Sequence, residues 1–332
     1  MTLQKILAAL VGDDDAATLL RTLAVDPRLT GDGAVSRAHL AQALSMVLFG
    51  DLLKRVSSGR AYVEQTLADG GRVVFDHGAL RTVAWPSNGT LPSGRAAIAR
   101  VLEAFGYRQS AVYPLERLKM TGYSYTQSDF SESIAQYFVS EFHPERFSPD
   151  FQATVSRVVS RSIDPLPAAL ATRLEAVKDG AEVSLAEAAV LVRAAVACFA
   201  RHHPEPSLGD YERLKSESAE MAWIATEGNA FNHATDRVAD VFATAQRERL
   251  AGRALKEQVE VSATGRVKQT ALIADKVQRG FVGADGKRIE MLVPGSFYEF
   301  ITRECLPNSE RLDLAFDAGN ATGIFKVTSA TP

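Results

Sequence analysis

One short frame occurs twice in this chain, and it limits the available folds more than any other feature. Phe75-Asp76-His77-Gly78-Ala79-Leu80-Arg81 and Phe231-Asn232-His233-Ala234-Thr235-Asp236-Arg237 share Phe, an Asp or Asn, His, three residues and Arg. Their histidines lie 156 residues apart. Two histidines in matching local settings imply a duplicated unit, each half supplying one imidazole. Imidazole is the usual ligand for borderline transition metals. A third candidate ligand, Glu299, interrupts the apolar and aromatic run Ser296-Phe297-Tyr298-Glu299-Phe300-Ile301-Thr302-Arg303. Two histidines plus one carboxylate, with other positions open, is the facial arrangement of non-haem Fe(II) oxygenases.

Each of these residues also has a plainer reading. A histidine on a strand is often structural, and a short shared frame can arise by chance. Side chains alternate along a strand, so Phe297, Glu299 and Ile301 share a face. If that face is buried, the carboxylate must be paired, hydrogen-bonded or metal-bound. The plain alternative for Glu299 is a buried salt bridge with Arg303 or another arginine. Arg81 and Arg237 each follow a histidine by four residues, and an arginine fork grips a carboxylate with two hydrogen bonds. Arg81 lies beside the slim Gly78 and Ala79 and is the better placed to serve a ligand. The plain alternative for both arginines is an ion pair with a nearby acid, such as Asp76 or Asp236. Ser140-Glu141 either lines a pocket or starts a loop. His202-His203 precedes Pro204, and the pair reads as a helix-end surface feature rather than a metal site.

The rest of the chain reads as α+β, with no linker of biased composition. Helical spacing covers 2–11, 15–25 and 36–56, with Ser36 as N-cap of the last. A strand follows a Gly-Gly turn at Gly71–His77, then a helix from Gly94 to Gly106, then strands over Leu115–Tyr125 and Ile134–Phe142. Helices fill 149–203, a loop and helix follow, and Trp223–Thr226 leads into the second histidine. Val238–Leu250 is helical, and strand-like runs lie at 258–262, Thr270–Lys276, Arg288–Val293, Ser296–Thr302 and Gly323–Thr328. The expected division is a helical cap over 1–60, a β-rich module over 61–148, a helical insertion over 149–220 and a second β-rich module over 221–332.

Composition narrows the function. The net charge of −3 gives no global field for nucleic acid or an anionic membrane. Cys198 and Cys305 are the only cysteines, too few for a disulfide framework, and no CxxC spacing exists. Cys198 reads as a small buried hydrophobe. No apolar run approaches the roughly 20 residues of a membrane helix, and the N-terminus lacks a signal-peptide pattern. A soluble, cytoplasmic protein is expected. GxGxxG, P-loop and GxSxG motifs are absent, which argues against nicotinamide, kinase-like and α/β-hydrolase chemistry.

The runs Met221–Val238 and Phe75–Val83 resemble the 2-oxoadipate dioxygenase/decarboxylase (hydroxyglutarate synthase) family of the vicinal-oxygen-chelate superfamily. Tyr298–Arg303 is similar to the glutamate-bearing strand of 4-hydroxyphenylpyruvate dioxygenase, a superfamily relative. The resemblance implies two βαβββ modules around a metal site, with added helices. By position it implies Fe(II) on His77, His233 and Glu299, and a substrate carboxylate on Arg81. It also implies substrate contacts at Gly319 and Asn320 in the run Gly319–Phe325. The implied reaction takes 2-oxoadipate and O2 to 2-hydroxyglutarate and CO2 in lysine catabolism. Longer family members carry extra sequence between the glutamate strand and that last run, so the substrate stays open. Two other readings stand beside it: a metal-dependent lyase or isomerase of the same superfamily, and a non-catalytic small-acid binding protein. Neither the oligomeric state nor a macromolecular partner can be read from the residues.

Overall fold

The computed structural model describes residues 1–317. Gly319, Asn320 and the expected strand at Gly323–Thr328 lie outside the described residues. Four helices come first: α1 (Thr2–Val11), α2 (Asp13–Thr22), α3 (Arg37–Arg55) and α4 (Ser57–Ala68). Ser36 caps α3 as expected, and the reciprocal partner in its capping box is His39, whose Nδ1 accepts from the Ser36 amide. The first repeat is β1 (Phe75–Val83), α5 (Ala96–Ala104), β2 (Tyr107–Leu115), β3 (Met120–Gln127) and β4 (Gln136–Phe142). Five helices intervene: α6 (Pro149–Val159), α7 (Ala168–Lys178), α8 (Leu185–Ala197), α9 (Leu208–Glu217) and α10 (Ala219–Glu227). The second repeat is β5 (Phe231–Arg237), α11 (Val241–Leu250), β6 (Glu260–Val261), β7 (Val267–Ala271), a hairpin of β8 (Lys276–Val282) and β9 (Arg288–Pro294), and β10 (Phe297–Arg303).

Eight of these strands form one curled sheet in the order β2-β3-β4-β1-β5-β10-β7-β6. Each repeat lays down its strands in the same way. β1 runs parallel to β4, which is followed by β3 and β2; β5 runs parallel to β10, which is followed by β7 and β6. This is the expected βαβββ duplication, with β8 and β9 inserted as a separate hairpin.

The halves meet at an antiparallel β1–β5 pair with local two-fold symmetry. Gly78 faces Ala234, flanked by His77–Thr235 on one side and Ala79–His233 on the other. Register shifts occur between Phe75 and His77, and again between Ala79 and Leu80. They make Asp76 the extra residue on β1 and Asn232 the extra residue on β5. The repeated Phe-[Asp/Asn]-His frame is therefore the mark of a bulge in each half. A bulge breaks side-chain alternation and re-aims its neighbours, which is how it recurs at sites.

The two faces of the sheet have different cores. Leu80, Tyr137, Val139, Phe231, Tyr298 and Phe300 pack with α1, α3, α4 and α5. Ala79, Phe138 and Phe142 on the other face pack with residues of α6, α9, α10 and the hairpin. At Gly78 the first core leaves no room: an added Cβ would lie 2.4 Å from Phe231 Cζ. Phe231 is itself wedged among Phe75, Tyr137 and Phe199. Gly78→Ala is expected to cost about 1–3 kcal/mol through overpacking. The readout is a lower urea midpoint at unchanged slope; an unchanged midpoint would mean that Phe231 can step aside.

Several local expectations are corrected. The strand expected at Leu115–Tyr125 is broken by a 3-10 turn at Glu116–Leu118 and by Lys119 in the left-handed region, so it belongs to a β2–β3 hairpin. The first strand extends six residues beyond its expected end at His77. Trp223–Thr226, which leads into the second histidine, took no assignment from the sequence and is helical, within α10. His203 is not on the surface: it is buried, with its ring nitrogens against the carbonyls of Pro204 and Ile224. Among the described residues no helix is long and apolar enough to cross a membrane.

Candidate metal centre

His77 on β1, His233 on β5 and Glu299 on β10 are brought together by three adjacent strands. In the β5–β10 register Glu299 pairs with Thr235, and Thr235 in turn pairs with His77 across β1–β5. Residues two apart on neighbouring strands thus converge on one face. Their candidate ligand atoms all lie within 4.8 Å of one another. His77 Nε2 is 3.4 Å from His233 Nε2 and 3.6 Å from Glu299 Oε1. The Thr235 hydroxyl lies between, 3.1 Å from His77 Nε2 and 3.3 Å from Glu299 Oε1. Phe297 and Ile301 flank Glu299 and are fully buried, so the carboxylate faces the interior.

Burial sets the electrostatics. It pushes the Glu299 carboxyl up to about 8. It lowers both imidazoles, His233 well below its ordinary value, with the facing His77 adding to the effect. Two neutral imidazoles beside a carboxyl group form a donor set for a divalent cation. Glu299 Oε2 and His233 Nδ1 are buried without a hydrogen-bond partner. An orphaned buried carboxyl oxygen is costly, and a bound cation would offset that cost. The residues fit a metal.

Around this set lie partners that the sequence did not announce. Asp76 Oδ1 contacts His77 Nδ1 at 2.8 Å. Burial opposes the charge on Asp76, but Arg303 and the His77 contact outweigh it and hold the carboxyl well below the usual range. Arg303 therefore serves Asp76 and not Glu299, contrary to the plain alternative for Glu299. The ring of Phe316 stands edge-on to His77 at 4.8 Å between centroids and packs on Phe138.

Arg81 is fully buried, two strand positions beyond Ala79 and on the same face as His77. Its partner is neither Asp76 nor Asp236 but Glu220 of α10, at 2.7 Å. Its guanidinium also stacks 4.7 Å from the Trp223 ring. Glu220 and Trp223 are one helical turn apart, so a single face of α10 holds the arginine. Burial drives the Glu220 carboxyl up to about 7, against the opposing pull of Arg81. Arg237 donates to the Glu132 carbonyl and lies 3.9 Å from Asp76 Oδ2, in keeping with the plain alternative of an ion pair with a nearby acid. Glu141 Oε2 accepts from the Arg95 amide at the start of α5, which gives it a capping role. His202 bonds the Cys198 carbonyl and takes no part in the centre.

A family model described as 2-oxoadipate dioxygenase/decarboxylase matches residues 48–326. The chain belongs to that family. The 2-oxoadipate dioxygenase/decarboxylase match spans both histidine strands, the glutamate strand and α10. A chloroplastic member from Arabidopsis thaliana is 29% identical over 145 residues, which is 37% of this chain and 38% of the Arabidopsis protein. The match thus spans well under half of that relative. A crystal structure of a glyoxalase-superfamily protein from Ralstonia eutropha JMP134 is 52% identical, with a TM-score of 0.92 over 96% of this chain and 99% of that one. The hydroxyglutarate synthase of Oryza sativa, solved in complex with 2-oxoadipate, has a TM-score of 0.70 at 21% identity, over 92% of this chain and 97% of that one. The rice likeness establishes shared fold. Within the family's fold the duplication is unequal: the β1–β4 and β5–β10 registers make Phe138 the counterpart of Glu299.

Proposed function

We propose that this chain is an Fe(II)-dependent dioxygenase/decarboxylase that converts 2-oxoadipate and O2 to 2-hydroxyglutarate and CO2, a step of lysine catabolism in the cytoplasm. The observation that carries the reading is the buried convergence of His77, His233 and Glu299 on the same sheet face as a buried arginine. The family match supports it. His77, His233 and Glu299 would hold the iron, and bound iron supplies the activation of dioxygen and the electron transfer of oxidative decarboxylation.

The chain's own part is to bind, orient and exclude. Asp76 accepts at His77 Nδ1, which keeps the proton there and leaves Nε2 as the lone-pair donor. The Thr235 hydroxyl donates to Glu299 Oε1 and fixes the carboxylate's rotation. Arg81, oriented by Glu220 and Trp223, would hold a substrate carboxylate and so set where the 2-oxo group falls. Phe138 and Phe316 give an apolar wall beside His77 that keeps bulk water away. The reaction balances: one carboxyl carbon leaves as CO2, and both oxygen atoms of O2 are retained in the two products.

Oxygen uptake by anaerobically purified, Fe(II)-loaded protein given 2-oxoadipate tests the reading. Uptake matched mole for mole by CO2 and 2-hydroxyglutarate is the expected result. Bound iron without uptake, for 2-oxoadipate and neighbouring 2-oxo acids alike, would replace it with a lyase or isomerase. Absence of both metal binding and turnover would leave a small-acid binding protein.

A further inference from the structure

The two bulges related by the local two-fold present different chemistry. On β5 the extra residue is Asn232, and His233 Nδ1 has no hydrogen-bond partner. On β1 it is Asp76, whose carboxylate meets His77 Nδ1 and is gripped from the other side by Arg303. Arg303 lies on β10, four residues after Glu299, with a fully buried side chain. Its Nε and Nη2 close on Asp76 at 2.9–3.1 Å. Its Nη1 donates to the carbonyls of Asp313 and Ala315 at 2.9 and 2.8 Å. The same guanidinium lies 5.2 Å from the ring of Phe316, which stands over His77.

We propose that Arg303, acting through Asp76, is a positioning residue that fixes the ligating tautomer of His77 and ties segment 313–317 across the centre, so that metal binding and coverage by Phe316 are coupled. The inference rests on the reading of His77, His233 and Glu299 as a metal site. The chemistry follows from donor counts. An ionised aspartate only accepts, so it demands the proton on His77 Nδ1 and frees Nε2. Lysine is a point charge and cannot serve one carboxylate side-on and two carbonyls at once; the planar guanidinium fork can. A buried ion pair is weak evidence for stability by itself, which leaves orientation as its use here. Segment 313–317 is also held by Arg266 on Asp313, the Asp313 amide on the Glu304 carbonyl, Gln136 on the Leu314 carbonyl, the Ala263 amide on Asp317 and the Phe316 amide on the Tyr113 hydroxyl, while Arg303 is the tie that runs through Asp76 to His77.

The test uses the full chain with Co(II) alone, because the visible bands of Co(II) report its ligands. Asp76→Asn keeps the shape but can turn an amide N–H toward His77 Nδ1, forcing the proton to Nε2. The expected result is Co(II) binding weakened roughly 10- to 100-fold, with altered visible bands. In the parent protein, Co(II) is expected to slow amide exchange across 313–317, and Arg303→Lys is expected to remove that slowing. Asp76→Asn binding within two-fold of the parent, with the parent's spectrum, would overturn the inference. So would exchange in 313–317 of the parent that ignores Co(II), a measurement that needs no variant to fold. A parent that binds no Co(II) removes the metal reading together with the inference. A parent that binds it and loses it in His77→Ala, yet ignores Asp76→Asn, removes the inference alone.

Discussion

Glu299→Gln is expected to abolish metal binding and turnover while leaving the metal-free protein as stable as the parent. The asymmetry comes from burial, which raises the Glu299 carboxyl to about 8. Without metal at neutral pH the group is mostly protonated, close to glutamine in shape and charge. Its anion is created when a cation arrives, and ligation must displace the proton. Thermal unfolding with added Co(II) or Fe(II) reads both halves. The parent should gain stability with metal, about 2.7 kcal/mol at a hundredfold excess over Kd. The variant should start at the same melting temperature and gain nothing. An equal metal-induced shift in the variant would remove Glu299 from the ligand set.

The second large effect concerns Arg81. Arg81→Met strands Glu220 in the core, and breaking a buried pair from one side costs about 3–5 kcal/mol. Glu220 softens this, since its carboxyl is already raised to about 7 and climbs further without the guanidinium. Loss of a buried charge-assisted contact to substrate costs about 2–5 kcal/mol, or roughly 30- to 5000-fold in kcat/KM. The double variant Arg81→Met/Glu220→Gln separates the effects: stability returns because no buried charge remains, while turnover does not. The pH dependence has a definite sign. A carboxyl raised in the folded state holds its proton more tightly there, so the Glu220 contribution is full below its unfolded value of about 4.3. That contribution is lost as pH rises through about 7. The double variant should lack this slope. A folded Arg81→Met enzyme with parental kcat/KM would leave Arg81 a purely structural cation.

The convergence of His77, His233 and Glu299 was legible because duplication writes itself twice. His77 and His233 share a frame, and Glu299 is the odd polar residue in an apolar strand. What the frame meant structurally was not legible: it marks a bulge, and bulges are defined by the partner strand. The helices came out well, since a 3.6-residue apolar period and a cap such as Ser36 are local signals. β2 was missed because it opens on the exposed polar run Arg108-Gln109-Ser110 and ends in Pro114-Leu115, so no clean alternation shows through. α4 was missed for another reason: its close approach to β10 depends on Gly59, where an added Cβ would lie 2.8 Å from Tyr298. The ionic partners were the least readable. Glu220 meets Arg81 and Arg303 meets Asp76 across long sequence separations, and no local pattern names which acid an arginine will find.

The unequal halves carry a final consequence. Two identical modules paired as separate chains would write the same residue at both symmetric places. Such an assembly would enclose two imidazoles and two carboxylates, four donors and two negative charges. Joining the modules in one chain frees the two places to differ, and here the place symmetric with Glu299 holds Phe138. That single difference halves the charge facing a cation and makes one side of the cage aromatic. The three donors therefore stand beside a wall of carbon, closed by Phe316, where a second carboxylate would otherwise face them.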